Sequence, residues 1–244
     1  FYRSGQLLDM RSLCAAARRH GVVIGFDCSH SVGAVAHELD EWGVDFALWC
    51  GYKYLNGGPG APAFLYLNRR HFGREPALAG WFGCVKERQF DLRLEFEHAP
   101  CAGGWQISSP GILASAAMLG SLAITLEAGI ERIREKSLAM TAYLISLVDE
   151  LLSVEPYRFS IGTPREAARR GGHVAVLHEE GLRICDALRA RGIIPDFRPP
   201  DIIRIAPIAL YNTYHEVWSV AQALRAIIDG RDFEGFPKKR KAVS

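Results

Sequence analysis

With 244 residues, 49% of them hydrophobic and 23% charged, the chain has the composition of a globular protein able to bury a substantial core in one or two domains. A net charge of +2 argues against bulk electrostatic recognition of nucleic acid, and no apolar run reaches the roughly 18 residues that suggest a membrane span. The six cysteines (Cys14, Cys28, Cys50, Cys84, Cys101, Cys185) show no C-x-x-C spacing and several lie in apolar runs, so they read as buried thiols of a reducing compartment rather than a metal site or a disulfide frame.

Asp9–His20 reads as a helix, with Asp9 as N-cap, Leu13, Ala16 and Ala17 on one face, and Gly21 as its stop. Val22–Phe26 follows as a strand, an αβ step toward a parallel sheet. It leads into Asp27, then His30 and Gly33; alone, Asp27 reads equally well as an N-cap. His30–His37 is expected to be a short helix or turn, and Leu39–Trp42 leads into Val44–Cys50, an apolar run expected to form a buried strand. At its end Lys53 stands between Tyr52 and Tyr54, before an irregular turn forced by Asn56-Gly57-Gly58-Pro59-Gly60. Burial disfavours an ammonium group, and a neutral amine condenses with an aldehyde, as a Schiff-base lysine does. A lone lysine after a strand is ordinarily a surface residue. Paired with a carboxylate at the end of another strand, where open α/β sheets bind ligands, it matches the lysine and aspartate that pyridoxal phosphate requires.

Ala63–Leu67 reads as an antiparallel return strand with an exposed Asn68-Arg69-Arg70 tail, and composition favours the core for Trp81 and Phe82. Gly103–Pro110 precedes a long helical stretch beginning near Ile112, with Leu113, Ala117, Leu119, Leu122 and Leu126 as its stripe and Gly129 as a stop or kink. Ile130–Leu152 is a second long helix, with Ile133, Ser137, Met140, Leu144, Leu147 and Leu151 at helical spacing. Strands at Arg158–Ile161, Val174–Leu177, Ile193–Arg198 and Ile202–Ala206, with helices at Gly181–Arg191 and Tyr214–Asp229, predict an α+β layer. The expected organisation is a large domain over 1–128, a bridging helix over 129–155, a small domain over 156–236 and a basic tail over 237–244. PKKRK in that tail fits a nuclear-localisation pattern, but a solvated, disordered end is the preferred reading. Arg204, among Ile202, Ile203 and Ile205, is poorly placed for mere solubility; it suits either a two-pronged grip on a carboxylate or a buried structural ion pair.

FDCSHSVGAV, WGVDFALWCGYKYLNGGPGAPAFLY, PALAGWFG and IRIAPIALYNTYHEV together resemble the kynureninase family, fold-type I pyridoxal phosphate hydrolases of the class V aminotransferase-like group, and the match runs from RSGQLLDM to the last helix. The resemblance implies an α/β fold: the later part of a mainly parallel large domain, then a small α+β domain. It implies a cytoplasmic homodimer with its active site at the interface, binding neither nucleic acid nor membrane and holding no metal. The reaction implied is hydrolysis of kynurenine, or its 3-hydroxy derivative, to an anthranilate and alanine, in tryptophan catabolism and NAD biosynthesis. Lys53 would carry pyridoxal 5'-phosphate, with Asp27 on the ring nitrogen and His30 beside it. Tyr52 would serve the phosphate and relay protons, Trp81 would reach the phosphate from the second subunit, and Arg204 would clamp the substrate carboxylate. Ser109 stands where family members carry Asn or Thr, so its cofactor contact rests on a hydroxyl. The chain begins at Phe1, and the resemblance leads us to expect that an N-terminal portion of the family's length is absent and that these residues alone are inactive. Asp27 and Lys53 would equally fit a cysteine desulfurase or an aminotransferase, and a non-catalytic remnant would retain the same motifs.

Overall fold

A computed structural model describes residues 1–239, and their contacts divide into two units. The first comprises 9–32 and 37–127; the second comprises 128–239 with 1–8 and 33–36.

The first unit opens with α1 (Met10–Arg19), capped as expected by Asp9, whose carboxylate accepts from the Ser12 backbone N–H at 3.0 Å. Strands β1 (Gly25–Asp27), β2 (Phe46–Cys50) and β3 (Ala63–Leu67) form a sheet in that order, β1 parallel to β2 and β3 antiparallel to it. The four-residue α2 (Leu39–Trp42) precedes β2, and Ser29–Ala34 forms turns. Phe26, Ala47, Trp49 and Tyr66 pack with Met10, Cys14, Cys28 and Val44 on one face. The other face corrects the expected buried strand: Phe46 is 38% exposed, and Leu48 and Leu65 are each 43% exposed. Val22 and Val23 are also exposed and precede β1 rather than form it. The apolar run marks the strand, but the number of covered faces depends on neighbours outside the run. Helix α3 (Ile112–Ala128) departs in the same way, since it is apolar all round yet buries only Met118, and Leu113 is 88% exposed. The cysteines divide: Cys14, Cys28 and Cys185 are buried, Cys50 and Cys84 half-buried, and Cys101 exposed.

The tail after β3 is not simply exposed. Arg70 forks onto Asp45 at 2.6 and 3.0 Å, Asn68 donates to the Val44 carbonyl at 3.0 Å, and His71 packs its ring nitrogen against the same Asp45. Burial alone pushes the Asp45 carboxyl up, but the Ile24 N–H, His71 and Arg70 outweigh it and bring it down to about 2. A carboxyl depressed on folding stabilises above its unfolded value, and the gain disappears as pH falls toward the folded value. Asp45→Asn is therefore expected to cost about 2 kcal/mol at neutral pH. It should also flatten the loss of stability between about pH 4 and pH 2, which urea unfolding at several pH values measures. Equal acid sensitivity in both proteins would exclude Asp45 as the source.

In the second unit α4 (Ile130–Leu151) begins immediately beyond Gly129, where φ is +80°, and buries Ile133, Ser137, Met140, Leu144 and Leu147 as their spacing predicts. A sheet in the order β4-β5-β7-β6 follows, all antiparallel, from Ser160–Ile161, Val174–Leu177, Ile202–Ile205 and Asp196–Arg198 respectively. β4 and β6 are shorter than expected: Arg158 sits at φ +56° in a turn, and Pro195 has no N–H to pair. Val174, Val176, Phe197 and Ile203 face a core shared with α4, α5 (Gly181–Ala190) and α6 (Tyr214–Asp229). Thr213 and Glu216 close a capping box at the start of α6. Residues 1–8 are stitched to this unit through Leu7 N–H to the Arg169 carbonyl and Gly171 N–H to the Gly5 carbonyl. Lys238 lies 3.6 Å from Glu180, so the first part of PKKRK is paired; residues 240–244 lie outside the described residues.

Candidate active site

Asp27 ends β1 and Lys53 follows the end of β2, so both stand at the carboxyl ends of adjacent parallel strands. Burial alone would raise the Asp27 carboxyl; the hydroxyl and N–H of Ser29, the latter at 2.9 Å, with the charges of Lys53 and His30, hold it below its ordinary value. Asp27 is therefore an ionised carboxylate with Lys53 and His30 in its field. Lys53 is half-buried, with Nζ 5.6 Å from the centroid of the Tyr52 ring. Tyr52 is 52% exposed, and the adjacent Cys50 thiol, burial and Asp27 all push its phenol upward, so it stays protonated and able to donate.

The loop bearing Lys53 is closed by its own backbone. Gly51 N–H donates to the Pro62 carbonyl, Gly57 N–H to the Gly51 carbonyl and Asn56 N–H to the Lys53 carbonyl, each at 2.9 Å. Met118 of α3 plugs it from behind: a Cβ at Gly57 would lie 2.1 Å from Met118 Sδ and 2.9 Å from the Gly51 carbonyl oxygen. The glycines in this motif thus admit close packing that any side chain would block.

Trp81 corrects the composition-based expectation of a core position. It is 48% exposed on a 3-10 turn, meeting Phe90 edge-on at 5.6 Å. Its loop is joined to the segment leading to Ser109, because the Ala99 N–H donates to the Gly83 carbonyl at 2.8 Å and Gly80 packs on Ile107. Ser109 itself is exposed. A Cβ at Gly80 would sit 2.1 Å from the Ile107 carbonyl oxygen, so Gly80→Ala must part the two segments. The expected cost is about 1–3 kcal/mol, read by urea unfolding. An unchanged midpoint would show that the segments are not pinned there.

Arg204 lies in the second unit, on the sheet face turned away from the helical core, with its side chain 13% exposed. It is ion-paired with Asp196, its neighbour across β6 and β7, and donates to the Tyr2 carbonyl at 2.8 Å. The structural ion pair therefore exists, beside the contact with the Tyr2 carbonyl. Asp196 went unnoticed in the sequence; its signal is the alternation of Asp196 and Arg198 about the buried Phe197.

A family model described as the kynureninase C-terminal domain matches residues 133–224. Over 243 residues, the whole of this chain, it is 51% identical to the kynureninase of Geobacillus thermodenitrificans (strain NG80-2) and 50% identical to that of Bacillus mycoides (strain KBAB4). The chain is similar to kynureninases along its whole length. It spans 56% of the length of these two kynureninases. Among solved structures, a cysteine desulfurase from Thermococcus onnurineus NA1 superposes with a TM-score of 0.76 at 17% identity, over 93% of this chain and 57% of that one. A variant of C-DES with glycine covalently linked to its PLP cofactor gives 0.77 at 18% identity, over 92% and 58%. The fold is that of the fold-type I pyridoxal phosphate enzymes, as expected for a kynureninase relative.

Proposed function

We propose that this chain carries the lysine-bearing part of a pyridoxal phosphate-dependent kynureninase, which hydrolyses kynurenine or 3-hydroxykynurenine to the corresponding anthranilate and alanine. The observation that carries the reading is the placement of Asp27 and Lys53 at the ends of adjacent parallel strands, each in the other's electrostatic field. That donor set fits the cofactor: an ionised carboxylate for a protonated ring nitrogen, an amine for the aldehyde and a protonated phenol for the phosphate. Identity of 51% to a kynureninase, against 17% to a desulfurase, favours kynurenine hydrolysis over the chemistries that share these residues.

When bound, the cofactor supplies an electron sink for charge developing at the substrate Cα. Asp27 keeps the ring nitrogen protonated, and His30 supports the Asp27 charge. Lys53 holds the aldehyde and then takes and returns the proton at Cα. Tyr52 donates to the phosphate and relays a proton, Ser109 offers a hydroxyl, and the Trp81 indole N–H reaches the phosphate of a second copy's site. Arg204 takes the substrate's α-carboxylate and fixes the bond to be broken, a positioning effect. Water adds at the γ-carbonyl carbon, the Cβ–Cγ bond breaks with its electron pair left on Cβ, Cβ takes the proton that Tyr52 relays, and the anthranilate and alanine leave.

The reading includes a cytoplasmic homodimer. The exposed apolar residues of α3, Leu113, Leu119 and Leu126 among them, support a subunit interface. The test supplies kynurenine to the purified holoenzyme and measures anthranilate and alanine in equal amounts. Sulfur released from cysteine, or an amino group transferred to a keto acid, with no anthranilate formed, would replace this reading.

A further inference from the structure

On the face of the second unit's sheet away from its helical core, Asp196 joins two guanidinium groups. It pairs with Arg204 across the strands and with Arg198 on its own strand, the latter at 2.6 Å. The Arg198 guanidinium lies 5.8 Å from the centroid of the Tyr2 ring, and its Nε is buried with no hydrogen-bond partner. The Tyr2 carbonyl holds the other side of the Arg204 fork. Two cations and one anion leave a net charge of +1 here. Arg204 with Asp196 alone would be neutral and would attract an incoming carboxylate poorly. Arg204 without Asp196 would be charged but would lose the ionic partner that holds one side of its fork.

We propose, resting on the reading that Arg204 takes the substrate carboxylate, that Asp196 is the positioning residue that aims Arg204 and that Arg198 restores the positive charge Asp196 cancels. Asp196 holds one edge of the guanidinium so that its plane keeps a single direction. Arg198 makes the shared carboxylate serve two cations, so that the site stays attractive to an anion. Neither residue takes part in the chemical steps.

The test uses the holoenzyme and a substrate analogue lacking the α-amino group, presented as the free carboxylate and as its primary amide. This probe cannot condense with the cofactor, so calorimetry reads carboxylate binding alone. The wild-type protein should prefer carboxylate over amide. Arg198→Gln should lower that preference about tenfold, the scale of one charge-assisted contact. Asp196→Asn should lower it too although it adds a positive charge, which only a lost aim explains, and Asp196→Glu should recover part of it. A preference raised by Asp196→Asn would overturn the positioning role. With substrate, both variants should raise KM more than they lower kcat. Unchanged visible absorbance of the bound cofactor and an unchanged melting temperature show that each variant is folded; if Asp196→Asn fails this check, Arg198→Gln and Asp196→Glu carry the test. Wild-type preference in the folded variants, with the preference lost in Arg204→Ala, would overturn this inference and leave the Arg204 reading standing. Preference retained in Arg204→Ala would overturn both.

Discussion

Replacing Lys53 with alanine is expected to lower kcat by at least about 10⁴-fold, the upper end of what a positioned proton-transfer group contributes, because in the proposed function the same amine also holds the cofactor. The fold should survive. Lys53 is half-buried at the end of β2, and the loop that carries it is closed by backbone bonds and by Met118, none of which involves the ammonium group. The thermal midpoint should therefore stay within a degree or two of the parent, a change of about 0.5 kcal/mol or less. Exogenous amines of small size should restore part of the proton transfer. A loss of activity matched by a loss of folded protein would mean that Lys53 is structural.

Arg204→Ala is expected to lower kcat/KM by roughly 10²–10³-fold, since truncating a hydrogen-bonded charge pair shielded from water costs about 2–5 kcal/mol. Cofactor affinity should be nearly unchanged, because the residues proposed to hold the cofactor, Asp27, Tyr52, Lys53, Trp81 and Ser109, lie in the first unit and Arg204 in the second. Part of any stability loss will come from Asp196, left with Arg198 as its remaining guanidinium partner. Comparing Arg204→Ala with Arg204→Lys separates the two effects: lysine keeps the charge beside Asp196 but cannot grip a carboxylate with two parallel bonds. A fall in kcat/KM of tenfold or less, or an equal fall in cofactor binding, would make Arg204 a structural residue.

What the sequence revealed follows from how local each signal is. Val174–Leu177, Ala63–Leu67 and Tyr214–Asp229 have the bounds their patterns predict, because alternation, a capping box and flanking turns act within a few residues. The Asp27 and Lys53 pair was legible because strand ends in a parallel sheet converge on one edge. Burial was less legible. Val44–Cys50 and the Leu113–Leu126 stripe are apolar enough for a core, yet each leaves large side chains exposed, since an apolar residue specifies a preference and not its neighbour. The Asp45–Arg70–His71 cluster and the Asp196–Arg198–Arg204 cluster were missed for the opposite reason. Asp45 with Arg70 and His71, and Asp196 with Arg204, are far apart in the chain and meet only in the fold; the alternation of Asp196 and Arg198 is a local signal but does not point to Arg204.

The most direct measurement reduces the holoenzyme with borohydride, digests it and locates the cofactor by mass. The cofactor mass should fall on the peptide containing Gly51-Tyr52-Lys53-Tyr54, fixed to Lys53, and should be absent from it in Lys53→Ala. Cofactor fixed to Lys86, Lys136 or any other lysine would contradict the assignment of this strand end as the centre of the site.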